Sequence, residues 1–330
     1  MIEKFRNEKC LLIRHEANPI ITKDNFPIPV QMVFNCGQTM YNGKTVLLIA
    51  AVYMTRINGN ITGIHVAMSE DGVNFDINPE PLCKSVDWAG ECPGVFDGWV
   101  IDPRVTKIDD TYYIVRPAQV KGAGPGALLE KTKDFKTCEF VDCIALPSNR
   151  VPCLFPEKIG DYYIRLDRPY NLHEQEDPKY ISDDSRLEAS IWISYSPDLK
   201  FWGKYKPIIF PNSVRFANWK IGPTPPIRTE KGWLEIIHGV YKEKGEFCYS
   251  IGAMLLDLEN PEKIIGISDD ILLTPQEPYE IYGRTENVVF PCGAIADVEK
   301  DILRIYYGCA DERIGLATGK LSEIIDSCLK

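Results

Sequence analysis

Histidine is scarce in this 330-residue chain: His15, His65, His173 and His238 are the whole complement, and no two stand at metal-ligand spacing. The eleven cysteines are odd in number and form no Cys-x-x-Cys pair. Several sit inside apolar runs, as in "VPCLFPEK", "VVFPCGA" and "YYGCAD", so they read as reduced, buried small hydrophobes and not as disulfides or metal ligands. No stretch approaches the roughly 18 apolar residues of a membrane span. The opening "MIEKFRNEKCLLIRHE" alternates charge with apolar residues and lacks the apolar core of a signal peptide. Cationic excess is missing too. Lysine and arginine total 37 against 47 acidic residues, and the net charge of −10 argues against nucleic-acid and anionic-membrane partners. Dinucleotide fingerprint, phosphate-binding glycine loop and Gly-x-Ser-x-Gly are all absent. These absences predict a cytoplasmic protein that works on small molecules without a metal or organic cofactor.

What the chain has in quantity is repetition. A polar turn followed by an aromatic and β-branched run occurs as "YNGKTVLLIA" (41–50), "KIDDTYYIV" (107–115), "KIGDYYIRL" (158–166), "TEKGWLEIIHG" (229–239) and "VEKDILRIYYG" (298–308). Each is a hairpin signal, and they recur roughly 50 to 70 residues apart. After three of them a strand ends in Ser or Thr, then an acidic turn, then an aromatic: "IHVAMSEDGVNF", "ALLEKTKDFKTCEF" and "IWISYSPDLKFW". Helical periodicity is weak except for a short segment at 321–329. Five copies of an antiparallel unit with no linker predict one all-β domain over 1–330, a five-bladed β-propeller. The segments before the turns become the inner strands around a central channel. That places Asn35, Asp102, Glu157, Thr224 and Cys292 in equivalent positions near one rim.

The polar residues of those segments are the candidate site. Asp102, in "VIDPRVTK", reads either as an Asp-Pro turn at a strand start or as an acid. Glu157 reads as a structural ion pair or as its partner, with Asp167 and Asp311 behind. Paired carboxylates suit glycoside cleavage. Cations gather in the same segments: Arg150, then Arg165 and Arg168 around Asp167, then Lys220, with His238 and Tyr241 ending the partner strand. Surface cations are usually just solvated. Several at strand ends facing one rim form the set that would hold a phosphate, the guanidinium forks giving bidentate contacts. Among the aromatics Tyr53, Trp99, Tyr170, Trp219, Tyr241 and Tyr282, Trp99 and Trp219 are the candidates for stacking on sugar, the others for packing between blades.

The motifs "DPRVTKIDDTYYI", "TKDFKT", "LFPEKIGDYY", "RPYN", "WISYSPDLKFWG", "KIGPTPPIRTEKGWLEIIHGV", "GAMLLDLENPEKII" and "NVVFPCGAI…RIYYGCAD", in this order, resemble glycoside hydrolase family 130, the β-mannoside phosphorylases. The resemblance runs from about residue 17 to residue 320. It implies a five-bladed propeller and inverting cleavage of a β-mannoside by inorganic phosphate, a co-substrate, to give α-mannose 1-phosphate. It implies Asp102 as proton donor, acting through a hydroxyl of the mannose. It implies Arg150, Arg168, Lys220 and His238 as phosphate ligands with Tyr241 adjacent, and Arg56 and Asp311 as sugar-binding positions. Asn35, Arg104, Glu157 and Asp167 join the substrate-binding candidates.

An inverting hydrolase needs a carboxylate to activate water. A phosphorylase replaces that base with phosphate aimed by cations. The intact cation set therefore favours phosphorolysis. A β-mannosidase with Glu157 as base and a non-catalytic mannoside-binding propeller are the alternatives. Departures from the family pattern include Ile101 before the acid, Gln31, Met32 and Cys36 around "VFNCGQ", and an enlarged acidic loop at 171–190. They leave open the linkage, β-1,2 or β-1,4, and the acceptor sugar, as well as assembly into homo-oligomers.

Overall fold

Each predicted turn is a place where the chain reverses. Asn42 and Gly43, Asp109, Gly160 and Asp301 all take positive φ, the left-handed region in which Gly, Asn and Asp cost least. A computed structural model describes residues 3–57, 60–84, 100–120, 124–169 and 189–330. Strand β1 (Ile13–Arg14) precedes the repeats. The first blade holds β2 (Val30–Tyr41), β3 (Lys44–Ile57), β4 (Asn60–Ser69) and β5 (Asp76–Lys84). The second holds β6 (Arg104–Ile108), β7 (Thr111–Val120), β8 (Gly124–Thr132) and β9 (Glu139–Ala145). The third holds β10 (Cys153–Leu154), β11 (Tyr163–Asp167), β12 (Ile191–Ser196) and β13 (Gly203–Ile209). In the fourth, β14 (Lys220–Gly222) and β15 (Ile227–Thr229) both pair with β16 (Gly232–Glu243), followed by β17 (Glu246–Leu256) and β18 (Ile264–Ile267). The fifth has β19 (Val289–Pro291) and β20 (Ile295–Asp297) on β21 (Ile302–Cys309), then β22 (Arg313–Lys320). All pairings in these sheets are antiparallel.

The sheets bury each other's faces, which is why their second strands are almost continuously apolar. Period-2 alternation splits β3: Val46 and Leu48 pack with Val105 and Ile114 of the second blade, whereas Leu47, Ile49 and Ala51 pack with Tyr306 and Leu316 of the fifth. Strand β16 divides in the same way. Trp233 and Ile237 join Leu166 and Ile193 of the third blade; Leu234 and Ile236 join Leu303 and Ile305 of the fifth. Val115 and Leu129 meet Leu154 and Leu199 between blades two and three. Five interblade cores thus close a ring, and the fold is a five-bladed β-propeller.

The seam lies in the fifth blade, where β1 adds to β22 with Ile13 opposite Thr318. The N-terminal strand therefore finishes the C-terminal sheet, a closure that the repeats alone did not predict. The predicted terminal helix forms over Leu321–Cys328 and buries Leu321, Ile324 and Ile325. Among the described residues no helix is long and apolar enough to cross a membrane. The ten described cysteines are free thiols, most of them buried.

Candidate active site

Inner strands start at the same rim, so the residues just before or at their heads converge there. Asp102 stands two residues before β6 and takes φ 48°, an uncommon value for a non-glycine residue. Asp102 is 2% exposed, and its carboxylate accepts a hydrogen bond from Asn35 Nδ2 at 2.7 Å. Asn35 reaches it because β2 breaks register between Val33 and Cys36, a bulge that re-aims the side chain. Gly308 makes the room, since a Cβ there would overlap the Asn35 amide. On the far side of Asp102, Arg150 approaches Oδ2 at 3.6 Å.

Arg168 follows β11 and is buried against His238, its Nη1 lying 3.1 Å from Nε2. A guanidinium has no lone pair to offer, so Nε2 accepts and the imidazole proton is assigned to Nδ1. Burial, and then the neighbouring Arg168, Arg104, Lys220 and Arg150, hold His238 well below the usual imidazole range, so it is neutral. Burial and the charge of Arg150 also pull Arg168 down to about 10. Lys220, at the head of β14, is pulled down to about 7 by burial and by Arg168 and Arg150. Its Nζ stands 4.1 Å from the Trp219 ring centroid and 5.3 Å from that of Tyr249. These cations oppose one another in a desolvated place, an arrangement that an anion relieves. Across from them Asp311, held by Thr285 Oγ1, is raised by burial first, with the charge of Asp102 adding to it.

Asn35, Asp102, Arg150, Arg168, Lys220, Tyr249, Thr285 and Asp311 line a cavity of about 220 Å³ with apolar walls from Phe34, Val151, Val288 and Phe290, whereas His238, expected as a phosphate ligand, stands behind Arg168 outside the lining. That is small beside the roughly 300–1,000 Å³ of sites for drug-sized ligands, and it suits one sugar ring with an oxyanion beside it, not a whole oligosaccharide. All five blades contribute: Asn35, Asp102, Arg150 with Arg168, Lys220 with Tyr249, and Asp311.

Other candidates lie elsewhere. Glu157 is at the far end of β10, half-exposed and paired with Arg228 at 3.0 Å, so the rim position expected for it is corrected. Thr224 and Cys292 are likewise not on the rim. Both are fully buried, and Thr224 is spent on Ile236 O and on its own amide's bond to Glu235. Asp167 does not face the cavity: it clasps Arg165 at 2.8 Å, Asn149 Nδ2 at 2.7 Å and Ser194. Asn149 in turn receives the Arg168 amide at 3.1 Å, so Asp167 supports Arg168 from behind. Tyr241 packs on Phe5, ring centroids 5.3 Å apart, away from the lining residues. Arg56 is exposed near the end of β3 and is not among them either. Arg104 is 1% exposed and lies behind Asp102 instead of in the cavity. Trp219 stacks on Phe247 beneath Lys220. Trp99, Tyr170 and most of the acidic loop fall outside the described residues.

Sequence reasoning missed Tyr249, Thr285 and the aromatic walls Phe34 and Phe290. Tyr249 was findable by register: Lys220 pairs with Val240 and Val240 with Tyr249, so one row across the blade runs straight to it. As for metals, Cys83, Glu130 and Cys138 come together among the described residues. Arg116 occupies the Glu130 carboxylate at 2.8 Å and opposes a cation there.

A family described as beta-1,4-mannooligosaccharide phosphorylase matches residues 11–330. The chain belongs to glycoside hydrolase family 130. It is 32% identical to the beta-1,4-mannooligosaccharide phosphorylase of Ruminococcus albus over 325 residues, covering 96% of this chain and 91% of that protein. It is 31% identical to the beta-1,2-mannobiose phosphorylase of Listeria innocua, covering 95% and 97%. The structure of a beta-1,2-mannobiose phosphorylase from Listeria innocua in complex with beta-1,2-mannobiose aligns with TM-score 0.79 at 27% identity, over 96% of this chain and 99% of that one. This family 130 chain is accordingly a β-mannoside phosphorylase, a glycosyltransferase-type enzyme of carbohydrate metabolism.

Proposed function

We propose that this enzyme cleaves a β-mannoside by inverting phosphorolysis, with Asp102 as general acid and Arg150, Arg168 and Lys220 as the phosphate grip. The observation that carries this reading is one cavity holding a buried acid beside three cations. Phosphate held there attacks the anomeric carbon from the face opposite the leaving oxygen. The C1–O bond to the acceptor sugar breaks as the new C1–O bond to phosphate forms. The proton from Asp102 goes, through a mannose hydroxyl, to the departing oxygen. Neutral His238 accepts from Arg168 and so aims one guanidinium without adding charge. Asn35 fixes the rotamer of the acid. Asp311, on Thr285, is placed to hold sugar hydroxyls.

Hydrolysis with Glu157 as base loses its support, because Glu157 is paired with Arg228 at the wrong end of its strand. Relatives named for β-1,4 and β-1,2 linkages match almost equally, at 32% and 31% identity, so the decisive assay offers both. Incubation of the enzyme with β-1,4- or β-1,2-mannobiose and phosphate is expected to yield α-mannose 1-phosphate from one of them. Release of free mannose at the same rate without phosphate would overturn the reading.

A further inference from the structure

Asp102 carries an unusual backbone for its role. A left-handed φ costs most non-glycine residues about 1–2 kcal/mol and an aspartate less, so Asp102 can hold it where its surroundings favour it. The favouring contact comes from two residues along the chain. Arg104 Nη1 donates to the Asp102 carbonyl oxygen at 2.5 Å, and both residues are buried. The same guanidinium lies 5.7 Å from the centroid of the Phe290 ring. Phe290 also meets the His238 ring at 4.5 Å, and His238 accepts from Arg168. A short chain of contacts therefore runs behind the cavity from the acid to the phosphate grip.

Arg104 is poorly provided for in other respects. Its Nε and Nη2 find no partner of hydrogen-bond geometry among the described residues. The thiols of Cys153 and Cys292 are polar neighbours. Burying a guanidinium costs desolvation that a leucine or methionine would avoid, and the nearby charge of Asp102 helps to offset it. Something other than packing explains it.

We propose that Arg104 is a positioning residue for the reaction: from behind, it locks the Asp102 backbone in its left-handed form so that the carboxylate points into the cavity. This rests on Asp102 being the acid. Arg104 touches neither substrate, and its effect passes through Asp102.

The test is Arg104→Met, with Arg104→Lys as the conservative variant, assayed on a mannobiose and on 4-nitrophenyl β-mannoside. Misplacing a reacting group by about 1 Å costs about 10²-fold in rate, so Arg104→Met is expected to lose that much kcat on mannobiose. KM for phosphate should stay within about threefold, because Arg104 reaches the grip only through the rings of Phe290 and His238. The nitrophenyl leaving group needs little protonation, and with it the loss should largely vanish, as it should for Asp102→Asn. Arg104→Lys, which keeps a donor, should recover part of the rate. In an Asp102→Asn background, Arg104→Met should cost nothing further on the nitrophenyl substrate.

Wild-type kcat in Arg104→Met, an equal loss with both leaving groups, or a raised phosphate KM at unchanged kcat would each overturn the proposal. So would failure of both variants to fold, which would make Arg104 a support of the fold alone. If instead Asp102→Asn keeps full activity on mannobiose, the reading of Asp102 itself falls, a separate outcome.

Discussion

Two charged side chains set how the site responds to substitution and to pH. Asp102 is the carboxylate that the inner-strand heads present together with the cations at hydrogen-bond or ion-pair distance, to Asn35 and Arg150. Asp102→Asn keeps the volume and the Asn35 contact but cannot give up a proton. General-acid catalysis supplies about 10²–10⁴-fold, and a loss of at least that size on a mannobiose is expected, with phosphate still raising the melting temperature. A variant that keeps most of its rate would exclude Asp102 as the acid. Lys220 makes the second prediction. Pulled down to about 7, it is largely neutral in the free enzyme at pH 8.5, and a phosphate bound beside it would restore its charge. Phosphate binding should then take up close to one proton at pH 8.5, where phosphate is already the dianion; at pH 5.5 the lysine already carries its proton and only the ionisation of the phosphate itself is read. KM for phosphate should rise with pH above about 8, where only the lysine still titrates. Calorimetry in two buffers of different ionisation enthalpy reads the proton directly, and Lys220→Met should abolish the uptake. For the unliganded protein the sign is the reverse. The unfolded lysine holds its proton up to about 10.5 and the folded one releases it above about 7, so this group's contribution to stability rises with pH between them.

At the scale of elements, the site is made by strand heads and by what the neighbouring strands leave out. Gly222 in β14 faces the His238 ring, and a Cβ there would overlap that ring and press on Arg168. Gly222→Ala should therefore displace both and raise KM for phosphate by about tenfold or more, since a misplacement near 1 Å carries penalties of that order and above. The mannoside KM should move less, and an unchanged phosphate KM would show that His238 does not aim Arg168. The turns tell a complementary story. In the three Ser/Thr-acid-aromatic segments the acid accepts backbone amides: Asp71 from Val73 and Asn74, Asp134 from Lys136 and Thr137, Asp198 from Lys200 and Phe201. Asp257 does the same in the fourth blade, from Glu259 and Asn260. Such local chemistry is legible in a sequence because the turn and its cap are contiguous. For the same reason the five hairpins, and with them Asp102, Arg150, Arg168 and Lys220, are legible in the order of residues alone. Glu157 could not be placed, because β10 is only Cys153–Leu154 and a strand so short gives no pattern to say which end faces the rim. Tyr241 and Tyr249 lie eight residues apart on paired strands, and only the register across β16 and β17 decides between them. Arg104 is a binding candidate in the sequence, whereas its guanidinium turns back to the chain two residues before it.

At the scale of the molecule, the cavity needs the ring closed, because Asn35 comes from the first blade and Asp311 from the fifth. The seam is tied by backbone bonds of Leu11, Leu12, His15 and Ile21 and by one buried ion pair. Strand β1 is two residues long, and its Arg14 reaches Glu280 with Nε and Nη2, both at 2.8 Å. Glu280 is fully buried and also accepts the Tyr307 hydroxyl at 2.7 Å and the amides of Gln276 and Glu277. Removing one member of a buried pair leaves the other charge without compensation, typically at a cost of about 3–5 kcal/mol. Because Arg14 is partly exposed, the lower end applies, and Glu280→Gln should destabilise the enzyme by about 3 kcal/mol. The Lys44–Glu70 pair provides the contrast. Its side chains are 46% and 82% exposed, so Glu70→Gln should change stability by well under about 1 kcal/mol. Urea titrations of the two variants, followed by tryptophan fluorescence and by mannobiose phosphorolysis, separate the possibilities. A common, lowered midpoint for both signals in Glu280→Gln is expected if opening the seam dismantles a cavity that every blade helps to build. A midpoint equal to that of Glu70→Gln would mean that the apolar contacts between the first and fifth blades hold the ring by themselves. Since phosphate binds only the closed ring, adding it should move the Glu280→Gln midpoint back upward, by an amount that grows as RT ln(1 + [phosphate]/Kd).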